Sequence, residues 1–106
     1  MLTNIAGRID GFTGAVHLPG DDGYELGRQS LNPAVDARPV MVAEAARPED
    51  VRAAVLAARA GGLPLAVQAT GHGTHVPADG GILLRTGALD RVEIDPVRQV
   101  ARVGPG

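Results

Sequence analysis

Residues 39–68 read PVMVAEAARPEDVRAAVLAARAGGLPLAVQ and contain the clearest secondary-structure pattern in the chain. The first part, PVMVAEA, is a short apolar run with β-branched side chains at Val40 and Val42, which predicts a strand. The middle part carries apolar residues at helical spacing, and the run at residues 64–68 predicts a second strand. The order strand, helix, strand predicts a βαβ unit in which both strands are parallel.

The helix in this stretch has a start signal and a stop signal. Pro48 suits the first helical turn, where its missing N–H removes no bond, and Glu49 and Asp50 lie at the positive end of the helix dipole. Gly61 and Gly62 follow the last periodic residue, and glycine there can adopt the left-handed conformation that closes a helix. We therefore expect a helix from Pro48 to the two glycines.

The segments on either side complete the predicted fold. Residues 1–38 are rich in glycine and proline, so we interpret them as an N-terminal arm with one short helix, capped by Asp21 or Asp22 and running to about Gln29. After the second strand, GILLR predicts a strand, and RVEID and QVARVG predict an antiparallel hairpin. We expect an α+β domain over residues 39–106 with an α/β-like start: a small mixed sheet with a βαβ unit, then antiparallel strands.

Composition excludes several classes of protein. The chain has 106 residues, enough for one small domain, and with 2% aromatics its core must be aliphatic. A net charge of −2 without a basic block gives no basis for nucleic-acid binding. The absence of cysteine excludes disulfides, thiolate metal sites and cysteine nucleophiles. No apolar run approaches the roughly 20 residues of a membrane span, so we expect a cytoplasmic protein without membrane contact.

The loop after the second predicted strand, QATGHGTHVPADGG at residues 68–81, combines glycines with histidines. A glycine-containing loop at the carboxyl end of a strand can curl its backbone N–H groups around a phosphate, and Thr70 and Thr74 add hydroxyl donors. A metal site formed by His72, His75 and Asp79 is an alternative, although the spacing falls on a loop and no cysteine supports it. An ordinary turn at the strand exit is the third interpretation, and the residues alone leave all three open.

Three segments, taken in order, resemble one family. PGDDGYELGRQSLNP at residues 19–33 is similar to the family's first segment, and residues 40–72 resemble its strand–helix–strand and Gly-His loop. Residues 80–106 resemble the strands that follow, which usually end in an Ala/Arg-Val-x-x-Gly stretch. The chain thus resembles the N-terminal part of FAD-linked oxidases with the vanillyl-alcohol-oxidase type of flavin domain. Within these it is most similar to the berberine-bridge-enzyme-like group.

The resemblance implies a cofactor and the residues that bind it. The family's loop wraps the FAD pyrophosphate with backbone amides, and the His in its Gly-His pair is often joined to the 8α-methyl carbon of the flavin. This implies a covalent link at His72, and a cofactor-binding segment formed by Gln68, Ala69, Thr70, Gly71, His72, Gly73 and Thr74. Gln68 stands where the family usually has arginine, and Thr70 where it usually has another glycine.

The resemblance also implies that the chain corresponds to the first subdomain only. Family members continue with the second half of the flavin domain and with a substrate domain that carries the catalytic base, so no catalytic residue is named here. The whole protein would be a flavin-dependent oxidase that transfers a hydride from a small-molecule substrate to flavin N5, with oxygen as acceptor. The alternatives are a non-catalytic nucleotide-binding or interaction module, or an inactive fragment. A truncated α/β half would leave apolar faces and strand edges open, which favours self-association.

Overall fold

The computed structural model describes residues 9–73 and 76–106. The α+β prediction is confirmed: a small mixed sheet contains the βαβ unit, and an antiparallel pair of strands follows it. In chain order the elements are β1 (Ala15–His17), α1 (Asp22–Gly27), β2 (Met41–Glu44), α2 (Pro48–Gly61), β3 (Leu65–Gln68), β4 (Ile82–Arg85), β5 (Val92–Asp95) and β6 (Val100–Val103).

The main sheet has the strand order β1-β2-β4-β3. Strands β2 and β3 are each parallel to β4, which lies between them, and β1 is antiparallel to β2. The two strands of the βαβ unit are therefore parallel, as predicted, but they are not neighbours. Ile82, Leu83 and Leu84 are all buried, which suits β4 to the place between two parallel strands, where both faces are covered.

The two faces of this sheet are covered by different elements. Met41, Ala43, Ile82 and Leu84 point to one face and form a cluster with α2, whose small residues Ala54, Ala57 and Ala58 allow close packing. Val42 and Leu83 point to the other face, where they contact the buried ring of Tyr24 from α1. The Tyr24 hydroxyl donates a hydrogen bond of 2.7 Å to the carbonyl oxygen of Pro39. The sheet thus lies between two packed layers.

Helix α2 has the predicted ends. It begins at Pro48 and is closed by Gly62 in the left-handed conformation, with φ of 64°. Asp50, expected only to favour the helix dipole, is fully buried and accepts hydrogen bonds from the backbone N–H groups of Thr13, Gly14 and Ala46. Burial alone would raise the pKa of Asp50, but these hydrogen bonds outweigh it and the pKa is lowered.

The described residues before Pro39 contribute to the same fold. Ile9 belongs to the main core cluster, and β1 extends the sheet. The short helix α1 has Asp21, one of the two predicted residues, at its N-cap position, and it ends at Gly27, two residues before the expected end. Strand β1 was not predicted because it has only three residues and follows a glycine-rich run. The domain boundary at residue 38 stays a prediction.

The predicted hairpin is confirmed and forms a sheet of its own, with Val92 opposite Val103 and Ile94 opposite Ala101. These residues share one face, on which Val92, Ile94 and Val103 are 62%, 67% and 65% exposed. The alternating pattern therefore marks an apolar face that no described residue covers. Within the described ranges, the longest helix is too short and too polar to cross a membrane.

Candidate functional site

The candidate site lies at the carboxyl edge of the main sheet. Strands β2, β3 and β4 run in the same direction, so their carboxyl ends, Glu44, Gln68 and Arg85, meet at this edge. Ligands of open α/β sheets bind outside such an edge. The loop of residues 69–81 leaves β3 here, which agrees with the position that the sequence predicts.

The described start of this loop is a tight curl with glycine in two left-handed positions. Gly71 has φ of 85° and Gly73 has φ of 76°, a region that favours glycine because it has no Cβ. Between them, the His72 N–H donates a hydrogen bond of 3.1 Å to the Thr70 hydroxyl. No acceptor among the described residues binds the N–H groups of Ala69, Thr70 or Gly73.

The backbone N–H groups of Ala69, Thr70 and Gly73 are the hydrogen-bond donors that the site offers to a ligand. Ala69 is partly buried, whereas Thr70 and Gly73 are exposed. A backbone N–H is an obligatory donor, so three of them without an acceptor among the described residues call for water or a ligand. Donors arranged in this way suit an anion, and phosphate groups are common anions at such loops.

The loop separates two concave surfaces. On one side is a cavity of about 300 Å³, which is lined by His72 and Gly73 of the loop together with Arg28, Ala66 and Val76. On the other side Thr70 lines an open groove of about 650 Å³, together with His17, Glu44 and Arg85. A ligand that contacts the whole curl would therefore reach both surfaces.

The charges of the two surfaces differ. Arg28 in the cavity donates to Asp36, to Glu25 at 3.1 Å and to the Ala37 carbonyl at 3.1 Å. The hydrogen bond from Arg28 lowers the pKa of Asp36, and the bonds to Asp36 and Glu25 raise the pKa of Arg28, so this cation is compensated. In the groove, by contrast, no carboxylate of the described residues lies within ion-pair distance of Arg85.

Each predicted site residue can now be placed. Gln68 ends β3, and its side-chain amide donates to the Gln29 carbonyl oxygen at 2.8 Å, so it contacts protein. Ala69, Thr70, Gly71, His72 and Gly73 form the curl, and His72 is exposed. Thr74 lies outside the described residues.

Of the three residues of the alternative metal site, the structure describes His72 and Asp79. His75 lies outside the described residues, and the Asp79 carboxylate accepts a hydrogen bond of 2.8 Å from the Arg38 N–H. Across residues 9–73 and 76–106, no group of three His, Asp or Glu side chains could hold a metal ion. Arg85 and residues 27–31, which adjoin the loop, were not recognised from the sequence.

Comparisons with known proteins agree with this geometry. A family model described as FAD binding domain matches residues 39–106, more than half of the chain. 6-Hydroxy-D-nicotine oxidase from Arthrobacter nicotinovorans is similar to this chain, with a TM-score of 0.84 and 27% identity over 100% of it. The BBE-like 1 protein of Physcomitrella patens matches 88% of the chain with a TM-score of 0.75 and 20% identity. Xylooligosaccharide oxidase from Myceliophthora thermophila C1 also matches 88%, with a TM-score of 0.75 and 24% identity.

The matched proteins are much longer than this chain. The chain spans 23% of the nicotine oxidase, 21% of the BBE-like protein and 20% of the xylooligosaccharide oxidase. At 20% and 24% identity the last two show the fold alone. No curated protein sequence matches the chain significantly.

Proposed function

We propose that this chain, which belongs to the FAD binding domain family, holds the diphosphate of FAD with the backbone N–H groups of the loop after β3. The observation that carries the proposal is the curl itself. Ala69, Thr70 and Gly73 offer N–H groups without an acceptor among the described residues, and the curl has left-handed glycines on both sides of His72. Gly71, His72 and Thr74 complete the binding segment of the proposal.

Electrostatics support an anionic ligand at this place. The loop brings no acid of its own before Asp79, and Arg85 lies in the adjoining groove without a described carboxylate partner. Glu44 in the same groove is bound to His17, with 2.7 Å between Oε2 and Nε2. Backbone N–H groups that are already oriented bind an anion without the cost of reorganising the chain.

The side chain of His72 supports a further part of the proposal, the covalent link to the flavin. His72 is exposed and lines the cavity on one side of the loop. We propose that His72 is bonded to the 8α carbon of the flavin ring, which would hold the ring at the carboxyl edge. Gln68, which the resemblance also assigns to the cofactor-binding segment, donates its side-chain amide to the Gln29 carbonyl oxygen at 2.8 Å.

The proposed activity belongs to the whole protein of which this chain forms the FAD-binding part. Bound flavin supplies hydride acceptance at N5, and we propose oxygen as the final acceptor and a small molecule as substrate. The similarity to an oxidase over the full length of this chain supports that activity class. This chain contributes cofactor binding and orientation.

The test is to purify the chain in the presence of FAD and to precipitate it with acid. We expect yellow colour that stays with the precipitate in the wild type and in the control variant Arg91→Met, whose exposed side chain lies outside the site. His72→Ala should retain bound FAD that the acid releases. Acid-stable colour in His72→Ala would contradict the covalent link, and no flavin binding in any variant would contradict the proposed function.

A second candidate role, as an interaction module, is favoured by the apolar face of the hairpin. Val92, Ile94 and Val103 are exposed there, and within the paired residues of β5 and β6 no charged residue shares that face. We propose that this face promotes self-association of the chain. Sedimentation velocity should show concentration-dependent association that Ile94→Lys reduces, whereas a monomer at all concentrations would contradict this role.

A further inference from the structure

Two side chains at the carboxyl edge are directed at the backbone of a segment far away in sequence. The Arg85 Nη1 donates to the carbonyl oxygen of Gly27 at 2.8 Å and to that of Gln29 at 3.2 Å. Gln68, which lies opposite Arg85 in the β3–β4 register, donates its amide to the same Gln29 oxygen at 2.8 Å. Residues 27–31 are thus bound to the ends of two parallel strands.

The same segment lies directly against the FAD loop. A Cβ added to Gly71 would lie 2.8 Å from the Cα and the Cβ of Ser30 and 3.1 Å from the Leu31 nitrogen. Gly71 is buried by this contact, although its neighbours His72 and Gly73 are exposed. The backbone of residues 30–31 therefore forms the surface on which the curl rests.

We propose that Arg85 and Gln68 are positioning residues that hold residues 27–31 as the floor of the FAD loop and so keep the curl in its binding conformation. The inference rests on the proposed function, and it adds a part of the site that lies outside the family match at residues 39–106. Neither side chain needs to contact the cofactor. Both act through the Gln29 carbonyl and the Ser30–Gly71 contact.

Helix capping alone does not explain why Arg85 binds these carbonyls. Gly27 is the last residue of the six-residue helix α1, in which the Arg28 N–H already bonds to the Tyr24 carbonyl at 3.0 Å, whereas Gln29 lies two residues beyond the helix. Arg85 instead fixes the chain after that helix. Ser30 and Asn32 then shape the next turn themselves, because the Ser30 hydroxyl bonds to both the N–H and the carbonyl of Asn32.

The experiment compares FAD dissociation constants of folded variants by quenching of flavin fluorescence. Apparent affinity scales with the fraction of molecules in the binding-competent conformation. We expect Arg85→Met, which keeps the aliphatic stem, to raise the dissociation constant about tenfold, or about 1.4 kcal/mol. Arg85→Lys keeps the charge and an N–H donor group but loses the planar guanidinium, so its dissociation constant should be only about threefold above that of the wild type. Arg91→Met is the matched control, because Arg91 is exposed and binds only Glu93 among the described residues.

A second measurement tests the floor without FAD. In the ligand-free protein, a nuclear Overhauser contact between the α-protons of Ser30 and Gly71 should be present in the wild type and in Arg91→Met, and weakened in Arg85→Met. An unchanged contact and an unchanged dissociation constant in Arg85→Met would overturn the inference, even if its melting temperature falls. If the wild type does not bind FAD, the proposed function fails, and the Overhauser contact alone then decides whether Arg85 positions the loop.

Discussion

Asp50→Asn should strongly destabilise the fold, because this buried carboxylate joins the N-terminal segment to the first turn of α2. Oδ1 accepts hydrogen bonds from the Thr13 N–H at 2.8 Å and the Thr13 hydroxyl at 3.0 Å. Oδ2 accepts from the same hydroxyl at 3.0 Å, from the Gly14 N–H at 3.1 Å and from the Ala46 N–H at 2.9 Å. Both oxygens are therefore acceptors only.

The magnitude follows from what an amide can replace. With its oxygen in the place of Oδ2, the asparagine side chain of the variant would keep the bonds from Gly14 and Ala46, but its NH₂ would face the Thr13 N–H. A buried donor left without an acceptor costs about 1–3 kcal/mol, and each remaining bond loses about 1 kcal/mol when it is no longer charge-assisted. We therefore expect a loss of about 3–5 kcal/mol from the free energy of unfolding.

The assay is urea denaturation of both proteins between pH 2 and pH 8. The folded-state pKa of Asp50 is lowered, so its contribution is fully present above the unfolded pKa of about 3.9 and is lost as pH falls through the folded value. The stability difference between wild type and variant should be constant from about pH 5 to pH 8 and should narrow below about pH 4.

The control is Glu49→Gln, which removes a charge from the same helical turn at an exposed position. It should cost at most about 1 kcal/mol, the effect of a charge near a helix end. If Asp50→Asn costs no more than Glu49→Gln, or if its effect does not change down to pH 2, the account of Asp50 as a buried, ionised acceptor is wrong.

Three further predictions concern other close contacts. Gly71→Ala should weaken FAD binding and destabilise the chain by more than Gly73→Ala. Both glycines have positive φ, which costs an alanine about 1–2 kcal/mol, but only a Cβ at position 71 would clash with Ser30. Flavin titration and thermal melts of the two variants would measure the difference. Tyr24→Phe should cost about 1–2 kcal/mol because the Pro39 carbonyl loses its donor. Burial raises the Tyr24 pKa, so its contribution should persist below about pH 10 and disappear as pH rises through the folded value, as chemical denaturation at alkaline pH would show. Gly14→Ala should cost about 1–3 kcal/mol through a clash with the Glu44 carbonyl, whereas Gly87→Ala, with open space around it, should change the melting temperature little.

The local elements could be predicted from the sequence because their signals are short-range. The stripe of α2, its proline start and its Gly62 end are set by neighbouring residues, and the hairpin is set by its alternation and the turn at Asp95. The position of the loop after β3 also followed from the order of elements. The resemblance supplied the cofactor, which the family match supports.

What could not be predicted depends on contacts between distant segments. Nothing near Arg85 in the sequence indicates that it binds carbonyls 56 and 58 residues away. Asp50 looked like a charge at a helix start, and its burial depends on Thr13 and Gly14 approaching from the start of β1. The insertion of β4 between β2 and β3 is likewise a property of the assembled sheet, because its pairing is settled only when both neighbours are present.

Binding of the FAD diphosphate by the loop after β3 can be tested by titrating the isotope-labelled chain with FAD and following its amide resonances. If the N–H groups of this loop hold the diphosphate, the largest shifts will fall on Ala69, Thr70 and Gly73, and inorganic pyrophosphate will shift the same amides at higher concentration. Largest shifts on the β5–β6 hairpin, or FAD binding that leaves these three amides unchanged, would contradict this mode of binding.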